Sequence, residues 1–334
     1  MKDYKDLESN HRAGDEAAPS RTAEGGHAYS VQIDADADGQ RLDNFLLGRL
    51  KGAPRSLVYR LVRSGQVRVN SGRARPETRL AIGDRVRIPP VRLAADAPAR
   101  AVPEALLEQL RAAIVHEDGH VLVLDKPSGL AVHGGSGIGP GVIEIMRELR
   151  GERGARLELV HRLDRDTSGI LVLAKSRSAL LALQAQLREG TAEKRYLALI
   201  EGRLQPSPFR VEVPLRKQVL QGGERMVRVD PQGKPAASVF TAVERLPGAT
   251  LAQVVLETGR THQIRVHAQH IRHAVAGDDK YGDAAFNGRM KQFGLRRLFL
   301  HAAGLRIAGP GGEDYVFHTA LPEDLAAPLA RLAD

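Results

Sequence analysis

The 334-residue chain has no cysteine, no tryptophan, and only 13 phenylalanines and tyrosines together. Without cysteine there can be no disulfide framework, thiolate nucleophile or zinc ribbon. No apolar run approaches the ~18 residues of a membrane helix, because arginine or another polar residue interrupts every candidate. The first 30 residues are polar and acidic, unlike a secretory leader. Nucleotide-binding fingerprints are missing as well. The glycine-rich run from His133 to Gly141 (HGGSGIGPG) fits neither G-x-G-x-x-G nor G-x-x-x-x-G-K-[ST], and reads as a flexible loop feeding a helix from about Val142. These absences predict a soluble, cytoplasmic protein with no membrane association, no nucleotide cofactor and no metal.

Basic residues are plentiful and unevenly placed. The net charge is +9, divided as −5 over residues 1–40, +10 over 41–92 and +4 over 93–334. One block of 52 residues therefore carries more than the whole excess. Such a concentration is the footprint of a polyanion partner, whose phosphates release counterions on contact. The plainer alternative is a solvated basic surface.

Length and a 42% apolar fraction predict two domains, each able to bury a core. Residues 1–29 lack any apolar period and are expected to be a disordered tail. Residues 30–92 are expected to form a small domain. Leu42, Phe45, Leu46 and Leu50 share one helical face, Leu57, Val58, Leu61 and Val62 another, and Pro54 separates them. Val67 and Val69 alternate with Arg68, and Val86 and Ile88 alternate again. Two helices on a strand ribbon leave Arg60, Arg63, Arg68, Arg73 and Arg75 off the apolar faces, free to line one groove. Residues 93–108, rich in Ala and Pro, read as a linker. Over 109–334, strand-like runs at 121–125, 157–161, 170–175, 195–201, 237–244, 250–257 and 298–307 outnumber helical periods at 141–150, 178–189, 261–275 and 321–332. This predicts an α+β fold with a large mixed, mainly antiparallel sheet.

Two segments carry the candidate chemistry. Histidines recur at 262, 267, 270 and 273 along a helix whose buried stripe is Ile264, Ala268, Ile271 and Val275. No H-E-x-x-H or H-x-E pair accompanies them, so they read as satisfied or RNA-facing side chains. The second segment is His161-Arg162-Leu163-Asp164-Arg165-Asp166-Thr167-Ser168-Gly169, a polar loop between two apolar strands. Loops carried on rigid strands often hold catalytic groups. Asp164 falls just past a strand end with arginines on either side, which would keep it ionised and suit a nucleophile or base. From the residues alone a second reading stands equal: a structural Asp–Arg network with Thr167-Ser168-Gly169 as its turn.

RLDNFL…SLVYRLVRSGQVRVNSG…GDRVRIPP, over residues 41–90, resembles the S4 RNA-binding module. HRLDRDTSG followed by ILVLAKS resembles the active-site loop of the RluA-type pseudouridine synthases. Further blocks match in order: VHEDGHVLVLDKPSGLAVH, EKRYLALIEG, GKPAASVF, TGRTHQIRVHAQHIRHAVAGDDKYGD and RLFLHAAGLRI. The stretches VHGGSGIGPGVIE and ELVHRLDRDTSG are most similar to members that modify large-subunit 23S ribosomal RNA.

The resemblance implies an S4 domain followed by a catalytic domain over 109–334. It also implies isomerisation of uridine to pseudouridine, with 23S ribosomal RNA or a large-subunit assembly intermediate as partner, by a monomer without cofactor. Asp164 falls on the family's essential carboxylate. Arg265 would pair with Asp164, Tyr196 would stack on the target uracil, and Arg162 would fill the space left by the flipped nucleotide. Leu300 and His301 would form part of the base pocket, and Asp166 would serve loop structure. Where the family usually reads Gly-His-Pro this chain has Arg272-His273-Ala274, which implies an altered turn and an added charge toward RNA. A non-catalytic RNA-binding protein and a uridine N-glycosylase are the alternative classes. Retention of Asp164, Tyr196 and Arg265 disfavours the first, and product analysis separates the second.

Overall fold

A computed structural model describes residues 27–34, 37–50, 53–91, 102–134, 139–219 and 225–334. The expected tail up to residue 26, most of the expected linker, and the middle of the glycine-rich run lie outside the described residues. The chain divides into two compact units, residues 1–99 and 100–334.

The first unit runs β1 (Tyr29–Gln32), α1 (Leu42–Arg49), α2 (Arg55–Arg63), β2 (Arg68–Val69), β3 (Gly72–Arg73) and β4 (Arg85–Ile88), with sheet order β1-β4-β2-β3. Extended Pro54 starts α2, and Gly65, at φ 71°, follows its end. The apolar faces of both helices meet Val67, Leu80, Val86 and Ile88 in one core. Tyr29, placed by the sequence in the tail, instead opens β1 and pairs with Ile88. That strand is mostly exposed and held by hydrogen bonds from β4, so no apolar period announces it.

The second unit continues with α3 (Glu104–Ala112), β5 (Ile114–Glu117), β6 (Val121–Lys126), α4 (Val142–Leu149), α5 (Gly151–Gly154), β7 (Glu158–Leu159) and β8 (Ser168–Ala174). Next come α6 (Arg177–Glu189), β9 (Glu193–Glu201), β10 (Phe209–Glu212), β11 (Leu215–Val219), β12 (Arg225–Val229), β13 (Ala237–Leu246) and β14 (Ala249–Leu256). It closes with α7 (Gln263–His270), α8 (Ala284–Gln292), β15 (Leu300–Ala308), β16 (Asp314–His318) and α9 (Glu323–Ala333). The expected linker therefore ends inside a helix: Leu110 of α3 is fully buried, and Leu106 and Leu107 pack on the same core.

Ten strands form one sheet in the order β10-β13-β14-β9-β15-β8-β6-β5, with β16 on β15 and β7 on β8. Among the described residues, only β15 and β8 pair in parallel. The sheet is thus mixed and mainly antiparallel, in an α+β fold.

β6 and β8 are buried on both faces, which is why their sequences are near-continuous apolar runs. Leu122, Leu124, Leu171 and Leu173 face a core that includes Met146 of α4. Val121, Val123, Ile170 and Val172 face a second core that includes Ala179, Leu180 and Leu183 of α6. On β9, Tyr196, Ala198 and Ile200 join the first core, and Leu199 joins a third with Phe286 of α8 and Leu325 of α9.

The helix expected over 261–275 stops at His270. Arg272 adopts φ 60°, its N–H bonds to the Gln269 carbonyl, and the His273 N–H bonds to that of Ala268. This double closure is the usual glycine-terminated helix end, with arginine in glycine's place. At the position where the family usually reads Gly-His-Pro, Arg272-His273-Ala274 thus closes an ordinary helix end.

Candidate active site

The loop over 160–167 joins β7 to β8, and a β-turn from the Thr167 N–H to the Asp164 carbonyl (3.2 Å) shapes its tip. Gly169, at φ 108°, fixes the loop's base. A Cβ there would lie 2.3 Å from the Ala302 carbonyl oxygen, so only glycine lets β8 approach β15 for their parallel pairing.

The segment after β6 holds the loop from the other side. The Gly129 N–H bonds to the Arg165 carbonyl (2.9 Å), and the Ser128 hydroxyl donates to that of Asp166 (2.7 Å). Fully buried Lys126 donates its ammonium to the carbonyls of Pro127, Leu130 and Arg165 at 2.8, 2.9 and 3.0 Å. Burial pushes its pKa down to about 7, while three carbonyl acceptors match the three protons of the charged form. The sequence reading missed Lys126. Its one signal was a charge closing an otherwise apolar strand immediately before a proline.

Asp164 stands a quarter exposed at the wall of a cleft of about 720 Å³. Tyr196, Leu300, Ile264, Arg265, Arg162 and His262 line the same cleft, so separated stretches of sequence converge there. Neither sequence neighbour pairs with Asp164. Arg165 turns to Asp166 (Nε to Oδ1, 3.0 Å), and Arg162 is exposed. The guanidinium beside Asp164 is that of Arg265, Nη1 to Oδ2 at 3.5 Å, brought from α7.

Arg265 is itself gripped from behind. Its Nε and Nη2 donate to Oδ2 and Oδ1 of buried Asp278 at 2.6 and 2.7 Å. Burial alone would raise the Asp278 pKa, but the Arg265 guanidinium and the N–H groups of Tyr281 and Lys280 hold it below the usual carboxylate range. The Tyr281 ring lies 4.9 Å beneath the Arg265 guanidinium, a cation–π contact. The sequence reading missed Asp278 and Tyr281, although both lie in the quoted block GDDKYGD.

Tyr196 is 9% exposed on β9, and burial, then the nearby Asp164 charge, raises its phenol pKa above the ordinary value. Leu300 shares its face. His301 does not, which corrects its expected place in the base pocket. Adjacent residues of a strand point to opposite faces, so Leu300 and His301 cannot both reach the cleft. His301 is fully buried, with Nδ1 at 3.0 Å from the Ser168 hydroxyl and Nε2 at 3.0 Å from that of Thr319. Burial holds its pKa down to about 4. Of the histidines recurring from 262 to 273, His267 is buried against Ser238, His273 bonds the Glu201 carbonyl, His262 faces the cleft and His270 is exposed.

In the first unit, Arg60 and Arg63 line an open groove on α2 with Tyr59, and the Arg63 guanidinium lies 5.8 Å from the Tyr59 ring centroid. The expected five do not share that groove. Arg68 pairs in register with Arg73 on one side and Arg87 on the other, which puts the three arginines side by side on one face of the sheet. Arg75 is exposed in the segment after β3, apart from that row. Arg85 and Arg87 on β4 were missed, though their alternation with buried Val86 and Ile88 carried the signal.

A family model described as RNA pseudouridylate synthase matches residues 120–270, and a model of the S4 domain matches residues 40–86. The chain is 53% identical to ribosomal large subunit pseudouridine synthase C of Haemophilus ducreyi, across 90% of this chain and 94% of that protein. It is 52% identical to the protein of the same name from Escherichia coli K12, across 90% of this chain and 96% of that one. Among solved structures, human RNA pseudouridylate synthase domain containing 4 superposes with a TM-score of 0.57 at 26% identity, covering 68% of this chain and 95% of that one.

Proposed function

The chain belongs to the RNA pseudouridylate synthase family, and we propose that it converts uridines of 23S ribosomal RNA to pseudouridine with Asp164 as the reacting carboxylate. The observation that carries this reading is Asp164 in an open cleft, beside a buried tyrosine and paired with an arginine fixed from behind.

Isomerisation breaks the N1–C1′ bond, turns the uracil and rejoins C5 to C1′, with no net gain or loss of atoms or electrons. The step at the sugar needs an ionised carboxylate, to attack C1′ or to remove the C2′ proton. Arg265 orients Asp164 through its Nη1. Tyr196 supplies a ring face for the uracil, and its hydroxyl, too weakly acidic to ionise at neutral pH, serves the proton transfer at C5. Leu300 closes the apolar side of the base pocket. A uridine paired in a helix must be extruded to reach this cleft, and exposed Arg162 occupies the vacated space. Lys194 and Arg260 at the cleft edge take backbone phosphates.

The first unit acts as the RNA-binding domain and the second as the catalytic domain of a cytoplasmic monomer. The names of the relatives, which specify the large ribosomal subunit, support 23S RNA as substrate. The test is to map pseudouridines on ribosomal RNA from a deletion strain, restored with the wild-type gene or with Asp164→Asn. Sites that vanish on deletion and return only with the wild type are the expected result. Restoration by Asp164→Asn would remove Asp164 as the reacting group, and an unchanged map would remove 23S RNA as the substrate.

A further inference from the structure

Asp164 faces a second donor besides Arg265. His262, at the start of α7, adopts φ 52°, a left-handed conformation that is costly for most side chains and least so for glycine and asparagine. The imidazole lines the cleft with Nε2 3.9 Å from Asp164 Oδ2, the same oxygen that faces Arg265 Nη1. Its Nδ1 lies 2.8 Å from the Tyr281 hydroxyl.

The Tyr281 oxygen accepts the Val227 N–H at 2.9 Å, and the arrangement that uses its own proton as well directs that proton at His262 Nδ1. Nδ1 is then an acceptor, and the neutral ring carries its proton on Nε2, aimed at Asp164. Burial lowers the His262 pKa and favours this neutral form, although the Asp164 charge opposes the shift.

We infer that His262 is a positioning residue for Asp164: its Nε2–H joins Arg265 on Oδ2 and leaves Oδ1 turned toward the sugar. A separation of 3.9 Å exceeds a hydrogen bond, and catalytic hydrogen bonds are commonly long in the free enzyme and tighten once substrate is bound. The inference rests on Asp164 being the reacting carboxylate.

The test compares His262→Gln, His262→Asn and Tyr281→Phe in the full chain, with pseudouridine formation on a 23S transcript as the readout. A glutamine amide nitrogen reaches the place of Nε2, whereas an asparagine amide nitrogen reaches only that of Nδ1. A backbone role gives the opposite ranking, because asparagine tolerates positive φ better than glutamine.

The expected order of kcat is wild type, then Gln, then Asn. Asn should fall on the order of 10- to 100-fold, the scale of a misplaced reacting group, with KM little changed. Tyr281→Phe keeps the ring beneath Arg265 but frees the imidazole proton, and should lower kcat several-fold. An Asn variant equal to or better than Gln, or both near wild type, overturns the inference. If both His262 variants fail to fold by thermal melting, an unchanged kcat in Tyr281→Phe overturns it. Asp164→Asn runs alongside: turnover there defeats the reading of Asp164, whereas inactivity there with Asn matching Gln defeats only the role of His262.

Discussion

Arg265 carries two carboxylates, and the distances assign them different tasks. Asp278 takes Nε and Nη2 in a bidentate grip at 2.6 and 2.7 Å, leaving Nη1 for Asp164 at 3.5 Å. The inner pair fixes the guanidinium, and the looser outer approach leaves Asp164 open to the cleft. Breaking a buried pair by removing one partner costs about 3–5 kcal/mol. Asp278→Ala should therefore lower unfolding stability by that order in urea titration, and kcat should fall with it as Nη1 loses its aim. Arg265→Lys should keep part of the stability and little of the activity, because an ammonium cannot fork to Asp278 and also reach Asp164. If Asp278→Ala kept wild-type kcat, Arg265 would be positioned by something other than this pair.

Element ends place the chemistry. The strand end before the Asp164 loop, the left-handed start of α7 and the glycine-type close of the same helix each set side chains that the element interiors do not. Arg272 occupies the closing position at φ 60° and is exposed. Left-handed backbone costs a residue with a Cβ roughly 1–2 kcal/mol. Glycine would return about 0.4–1 kcal/mol of that through a freer unfolded chain. Arg272→Gly is accordingly expected to raise stability by about 1 kcal/mol, read as a higher urea midpoint at unchanged m-value. Weaker RNA binding in the same variant would mean that Arg272 is kept for its charge. Unchanged binding and unchanged stability would contradict the strain argument.

Across the whole molecule, catalytic geometry and basic charge are concentrated in different units. Part of the +10 of residues 41–92 is displayed as the α2 groove and the in-register arginine row, while the Asp164 cleft is lined by residues of the second unit. Replacing Arg60, Arg63, Arg68 and Arg73 by glutamine should flatten the slope of log affinity against log salt by about 0.7–0.9 for each phosphate no longer neutralised. It should leave kcat at saturating RNA near wild type, and an unchanged slope would show that this surface does not meet RNA. The sequence by itself determined the two-unit division, the α+β class, the doubly buried strands and the loop bearing Asp164. Each is written in local composition, period or contiguous motif. The family resemblance implied the pairing of Arg265 with Asp164, and the two stand 3.5 Å apart; tertiary structure alone decided that neither neighbouring arginine meets Asp164, and that Asp278 holds Arg265. It alone turned His301 away from the cleft, brought in His262 and placed Lys126 under the loop. Those pairings join residues far apart along the chain, or depend on which face a strand presents, and no local pattern encodes them.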